Sequence, residues 1–166
     1  MRPESLILAA VIGRAVVKTL SPNFAFLAHH DARMAIFATQ AEQQFAIDPS
    51  VTLIKLRMFA EVLAKIACAK LGQYVDTRDT LETNIDRLAA TGAISGVSVQ
   101  IFHDLRRGGN AAAHGEDAMH REALHQLRMA RELAIWFQRT FGNNRKFEPG
   151  PFVPPPEPQD AAPTLH

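Results

Sequence analysis

Cysteine is all but absent: Cys68 is the single one in 166 residues, and its setting, Ala67-Cys68-Ala69, reads as helix interior. One thiol builds neither a disulfide framework nor a cysteine-based zinc site, and a reducing compartment, the cytoplasm, is expected. Proline is missing between Pro49 and Pro149, which leaves a long stretch with nothing to interrupt a helix. No apolar run approaches the ~20 residues of a membrane span, so no membrane partner is expected. Leu6 to Ile12 is the most apolar segment near the N-terminus. Glu4, Gly13 and Arg14 break it, and no small-x-small pattern follows at Lys18-Thr19-Leu20, so a secretory signal is not expected.

Excess charge is missing too. Lys and Arg total 18 against 17 for Asp and Glu, a net charge of +1. That balance argues against a dedicated duplex-binding surface and leaves only local basic patches open. There is no Gly-rich phosphate loop ending in Lys-Ser or Lys-Thr and no G-x-S-x-G elbow, so neither ATP hydrolysis nor hydrolase chemistry is supported. His120, Glu122 and His125 lack the helical spacing that turns two imidazoles toward one metal, and no metal or cofactor is assigned.

What the chain does have is a core. Hydrophobic residues make up 47% and charged residues 21%, enough to fold one domain of ordinary size. Apolar positions recur at helical spacing through the middle, and strand signals are negligible. The first helix runs from Ala28 to Ala46, with Met34, Phe37, Ala38, Ala41 and Phe45 inward. Asp48-Pro49 opens the second, whose stripe of Leu53, Leu56, Phe59, Ala60, Leu63, Ala67 and Leu71 stops at Gly72. The third spans Thr80 to Ala90, and Ser95 caps a fourth that passes through Gly108-Gly109 and ends after His114. Asp117 is expected to cap the last, which carries Leu124, Leu127, Ala130, Leu133, Ala134, Phe137 and Phe141 and stops at Gly142. The expected fold is all-α, a bundle of about five helices over residues 21–142. Residues 1–20 are an extra segment, helical or flexible.

Residues 143–166 form a Pro-rich tail that must run extended or as polyproline II. Phe147, Phe152 and Val153 have something to bury in a groove of the bundle; the part after Pro156 has nothing and reads as a linker. A linker of this kind implies the front piece of a larger protein.

Chemistry concentrates in His103-Asp104-Leu105-Arg106-Arg107-Gly108-Gly109-Asn110-Ala111-Ala112-Ala113-His114. At 100° per residue, Arg107, Asn110 and His114 share one broad face. A histidine titrating near neutrality serves as general base toward a ribose 2′-hydroxyl, and an arginine fork stabilises the phosphorane that forms. The candidate catalytic set is therefore Arg106, Arg107, Asn110 and His114, for metal-independent RNA cleavage, alone or completed across a homodimer. The competing reading is structural, with these groups bonding neighbouring helices. Two glycines inside a helix cost about 1 kcal/mol each relative to alanine, so they imply a bend or a close backbone approach. His29-His30-Asp31 reads as a helix cap with adjacent histidines, Arg128 and Arg131 with Glu132 as a solvated face, and Trp136 with Phe137 as core or interface aromatics.

Ser21 to Leu27, Asp48-Pro49 with Leu53 to Glu61, Phe102 to His114, Ala134 to Phe137, and Phe152-Val153-Pro154 together resemble the N-terminal helical domain of type I restriction enzyme R subunits. The resemblance covers Ser21 to Pro156. It implies a domain preceding a nuclease and an ATP-driven DNA translocase in a subunit that works with methylation and specificity subunits. ATP and Mg are implied only for those further domains. The domain is also similar to the HEPN superfamily, many of whose members are metal-independent ribonucleases with an arginine, a polar residue, three further residues and a histidine. Asn110 and His114 match the last two landmarks. Gly109 stands where the arginine belongs, and Arg106 and Arg107 lie upstream.

The sequence thus points first to an accessory, non-catalytic bundle of a restriction subunit, serving assembly or nucleic-acid contact in defence. The alternatives are a HEPN-type ribonuclease using His114 with Arg106 or Arg107, binding RNA, and a dimerisation module.

Overall fold

Four of the five helices begin where the sequence places an oxygen acceptor. In the computed structural model, which describes residues 7–12 and 15–159, Asp31 caps α1 (Ala32–Gln44) by accepting from the Arg33 N–H. Asp48 accepts from Ser50 at the start of α2 (Pro49–Lys70), with Pro49 in the first turn. Thr80 caps α3 (Leu81–Thr91) through the Thr83 N–H, and Ser95 caps α4 (Gly96–Ala113) through the Ser98 N–H. Each such cap satisfies one donor that a helix leaves open and contributes roughly 1 kcal/mol.

The fifth helix departs from the sequence reading. Asp117 does not cap it: α5 (His120–Phe141) starts after Met119, without a side-chain cap bond. The preceding loop is anchored instead by the Ala118 N–H, which donates to Ser50 Oγ at 3.3 Å. That tether fixes the approach to α5 and leaves Asp117 exposed.

The all-α reading holds for the bundle. α2 lies at its centre and contacts the other four helices. Its stripe of Leu56, Phe59, Ala60, Leu63 and Ala67 is fully buried among side chains from every helix. Phe24, Phe59, Phe102 and Phe137 are the largest side chains removed from solvent. Phe24 meets Phe59 edge-on at 5.6 Å between centroids, the geometry that aromatic quadrupoles favour. At about 2 kcal/mol for each large apolar side chain fully buried, this shared core is what holds the helices together. A short 3-10 turn, Ala25–His29, precedes α1. Among the described residues no helix is long and apolar enough to cross a membrane.

Both ends differ from expectation. The leading segment, expected to be helical or flexible, contains a two-stranded antiparallel ribbon, β1 (Ile7–Ile12) and β2 (Ala15–Thr19), pairing Ile7 with Thr19 and Ile12 with Ala15. Both runs are rich in β-branched residues and only Gly13 and Arg14 separate them, a combination that favours a hairpin over a helix.

At the other end, residues 147–159 form neither helix nor strand, and the chain stays against the bundle beyond Pro156. The Asn23 carboxamide grips Val153 from both sides: Nδ2 donates to the Val153 carbonyl at 2.7 Å and Oδ1 accepts from its N–H at 2.9 Å. Arg139 donates to the Phe147 carbonyl and Arg131 to that of Gly150. Phe147 packs on Phe26, and the Arg128 guanidinium lies 4.6 Å from the Phe152 ring centroid. Pro155 is buried, and Pro158 closes a hollow with Phe45, His120 and Leu124. Proline-rich chain costs little entropy to hold extended, so a few anchors seat it. Arg131 is accordingly a buried strap anchor, not part of a solvated face. Asp160 to His166 lie outside the described residues.

Candidate functional site

The glycine pair in α4 sets the geometry of the site. A Cβ placed on Gly109 would collide with the Cβ of Arg57 on α2 and approach the Leu53 carbonyl oxygen to 3.0 Å. One placed on Gly108 would run into the amide end of Gln126 on α5. The close backbone approach implied by the paired glycines is thus real, and α4 is wedged between α2 and α5 at this level.

Wedging fixes the rotation of α4 and separates the two arginines. Arg106 and Asn110, one turn apart, face a cleft of about 490 Å³ between α2, the start of α3 and α4. Arg107 lies 100° away and lines a different hollow of about 400 Å³ with Asp104, His125 and Gln126, on the α5 side. Its guanidinium is 3.6 Å from the Asp104 carboxylate and exposed. His114 follows the last residue of α4 as its C-cap and is exposed. The structure therefore does not gather the four candidates. Arg106 and Asn110 share the first cleft, Arg107 joins the second, and His114 stands at the helix end.

The first cleft contains a residue the sequence reading passed over. Arg57 Nη1 donates to Asn110 Oδ1 at 3.0 Å, and its Nε is 3.4 Å from Glu61. A guanidinium thus stands beside Asn110, supplied from α2 because Gly109 leaves room for the Arg57 stem. Arg57 was visible in the sequence as a cation in the turn between Leu53 and Ala60, next to the core stripe; its partner across α4 was not. Lys65 and the first turn of α3 complete the lining. Arg106 Nη1 is 4.0 Å from the Glu82 carboxylate, while Asp79 is paired to Arg87. The Nε atoms of Arg57 and Arg106 are both buried without a hydrogen-bond acceptor.

Two further histidines pack against aromatic rings of the core. His30 Nε2 meets Gln138 Oε1 at 2.8 Å and its ring sits edge-on to Phe137. His120 packs edge-on against Phe45, and His29 and His125 are exposed. Trp136 Nε1 donates to the Ala93 carbonyl, tying α5 to the turn before α4. Among the described residues no three His, Cys, Asp or Glu side chains gather as a metal site.

A family model described as DUF4145, a domain of unknown function, matches residues 39–147. The chain belongs to the DUF4145 family. The matched span runs from the middle of α1 through α5 to Phe147, the first residue of the strap, which packs on Phe26. This DUF4145 chain is also 35% identical over 136 residues to the type I restriction enzyme EcoKI endonuclease subunit of Escherichia coli (strain K12), an alignment covering 80% of the chain and 11% of that subunit. The chain therefore spans about a tenth of the length of this curated relative. No solved structure matches it.

Proposed function

We propose that this DUF4145 chain is an N-terminal accessory domain of a type I restriction enzyme R subunit, a HEPN-like bundle that serves assembly or nucleic-acid contact in DNA restriction and leaves cleavage to other domains. Its partners are then the methylation and specificity subunits, and its place is the cytoplasm. The observation that carries this reading is the 35% identity to a restriction endonuclease subunit over four-fifths of the chain. The geometry of α4 supports a non-catalytic role. A ribonuclease needs an imidazole and a guanidinium on one substrate phosphate, whereas Arg106 turns to α3, Arg107 to the α5 side, and His114 stands exposed at the end of α4.

The test is competition. The purified 166-residue chain is expected to compete with the intact endonuclease subunit of its own restriction system, either for the methylation–specificity complex or for DNA. It is expected to hydrolyse neither ATP nor DNA. Failure to compete in both assays would remove the accessory reading. EDTA-resistant RNA cleavage abolished by His114→Ala would replace it with the ribonuclease.

A further inference from the structure

We propose that the cleft between α2, the start of α3 and α4 binds one phosphate group of a nucleic-acid strand, through Arg57, Arg106 and Lys65. The proposal deepens the accessory reading and rests on its nucleic-acid branch.

Arg57 is fixed before any ligand arrives. The Arg57 stem is packed against Gly109, and its guanidinium is oriented by Asn110 at 3.0 Å. Arg106 is largely buried, with its side chain 20% exposed, whereas its carboxylate neighbour Glu82 is 62% exposed and 4.0 Å away. The cation is held and the anion is loose. With the charges 4.0 Å apart and Glu82 in solvent, the pair contributes little, so a phosphate oxygen displaces Glu82 at small cost. A planar guanidinium then gains two charge-assisted hydrogen bonds to the phosphate. The buried Nε donor of Arg106 has no hydrogen-bond acceptor, and that of Arg57 has only the Glu61 carboxylate at 3.4 Å, outside hydrogen-bond geometry. Thr80 and Leu81 also line the cleft, so the positive end of the α3 dipole opens on the same space and adds to the attraction for an anion.

The surroundings define the ligand. Glu61 and Glu82 flank the cations, and the whole chain carries a net charge of only +1, so the cleft suits one phosphate and repels a row of them. A hollow of about 490 Å³ exceeds what a free phosphate fills and is of the size that admits a whole small ligand such as a nucleotide unit.

The test uses the 166-residue chain and three probes: inorganic phosphate, a single-stranded DNA 12-mer, and the duplex of the same sequence. Amide and arginine Nε resonances of Arg57, Arg106 and Asn110 are expected to shift saturably with the single strand. The slope of log K against log salt should be about −0.7, as for a single phosphate on a single strand. Arg106→Gln should weaken binding at least about five-fold, and Glu82→Gln, which frees Arg106, should strengthen it about two-fold or more. A damaged fold would not produce that gain. Shifts with inorganic phosphate alone, a preference for duplex with a multi-phosphate slope, or affinities unchanged in both variants would each overturn the proposal. A chain that joins the methylation–specificity complex without these shifts keeps the accessory reading and loses the cleft. A chain that binds the strand but competes in neither of the earlier assays does the reverse.

Discussion

Gly109 on α4 makes room for the Arg57 side chain on α2: a methyl group at position 109 would occupy the space of the Arg57 Cβ. One relationship therefore explains both the lack of a side chain at position 109 and the guanidinium that reaches Asn110 from another helix. Gly109→Ala sets a helix-propensity gain of about 1 kcal/mol against overpacking of about 1–3 kcal/mol. The colliding atoms are a Cβ and a backbone carbonyl, which move little, so a net loss of stability is expected in urea unfolding. Gly108→Ala meets only the flexible end of Gln126 and should be close to neutral. Equal effects at the two positions would contradict this account of the wedge.

The strap should behave as part of the domain. Asn23 is buried and makes two hydrogen bonds to the Val153 backbone and a third to Glu42 at 2.8 Å. Asn23→Ala is expected to cost about 1–3 kcal/mol, because partners are left unsatisfied. It should also expose residues 147–158 to proteolysis. An unchanged digestion pattern in limited proteolysis would show that the other anchors suffice.

Glu42 gives the fold a pH dependence of defined sign. Burial pushes its carboxyl above the ordinary value of 4.5, against the opposing effects of Asn23, Ser21 and Arg131. A folded-state pKa above the unfolded one contributes stability below 4.5 that is lost as pH rises through the folded value. Glu42→Gln keeps an acceptor for Asn23 and removes the charge. It should raise the urea midpoint at neutral pH, with the gain shrinking as the pH is lowered toward 4.5 and Glu42 in the parent chain becomes protonated.

His114 is exposed at the end of α4. His114→Ala should therefore change stability by less than about 0.5 kcal/mol, as for a substitution away from the core. A loss of several times that size by chemical denaturation would reveal a buried partner for the imidazole.

Sequence alone determined the features that depend on neighbours a few residues away. Asp48-Pro49, Thr80 and Ser95 start helices because their side chains reach N–H groups two or three residues on. The apolar stripes of α2 and α5 fix which faces are buried, since the 3.6-residue period leaves one choice. Tertiary structure decided everything set by how far apart helices lie and how they are rotated. Arg107, Asn110 and His114 looked like one stripe from helical angles, but the Gly108-Gly109 wedge turns Arg107 into one hollow and Asn110, with Arg106, into another. Arg131 looked like a surface charge and Arg57 was passed over, because a sequence does not show that the strap closes over one and α4 over the other. The part after Pro156 looked free because the hollow that Pro158 closes is built from Phe45, His120 and Leu124 on distant parts of the chain, and burial against such partners exists only once the bundle has formed.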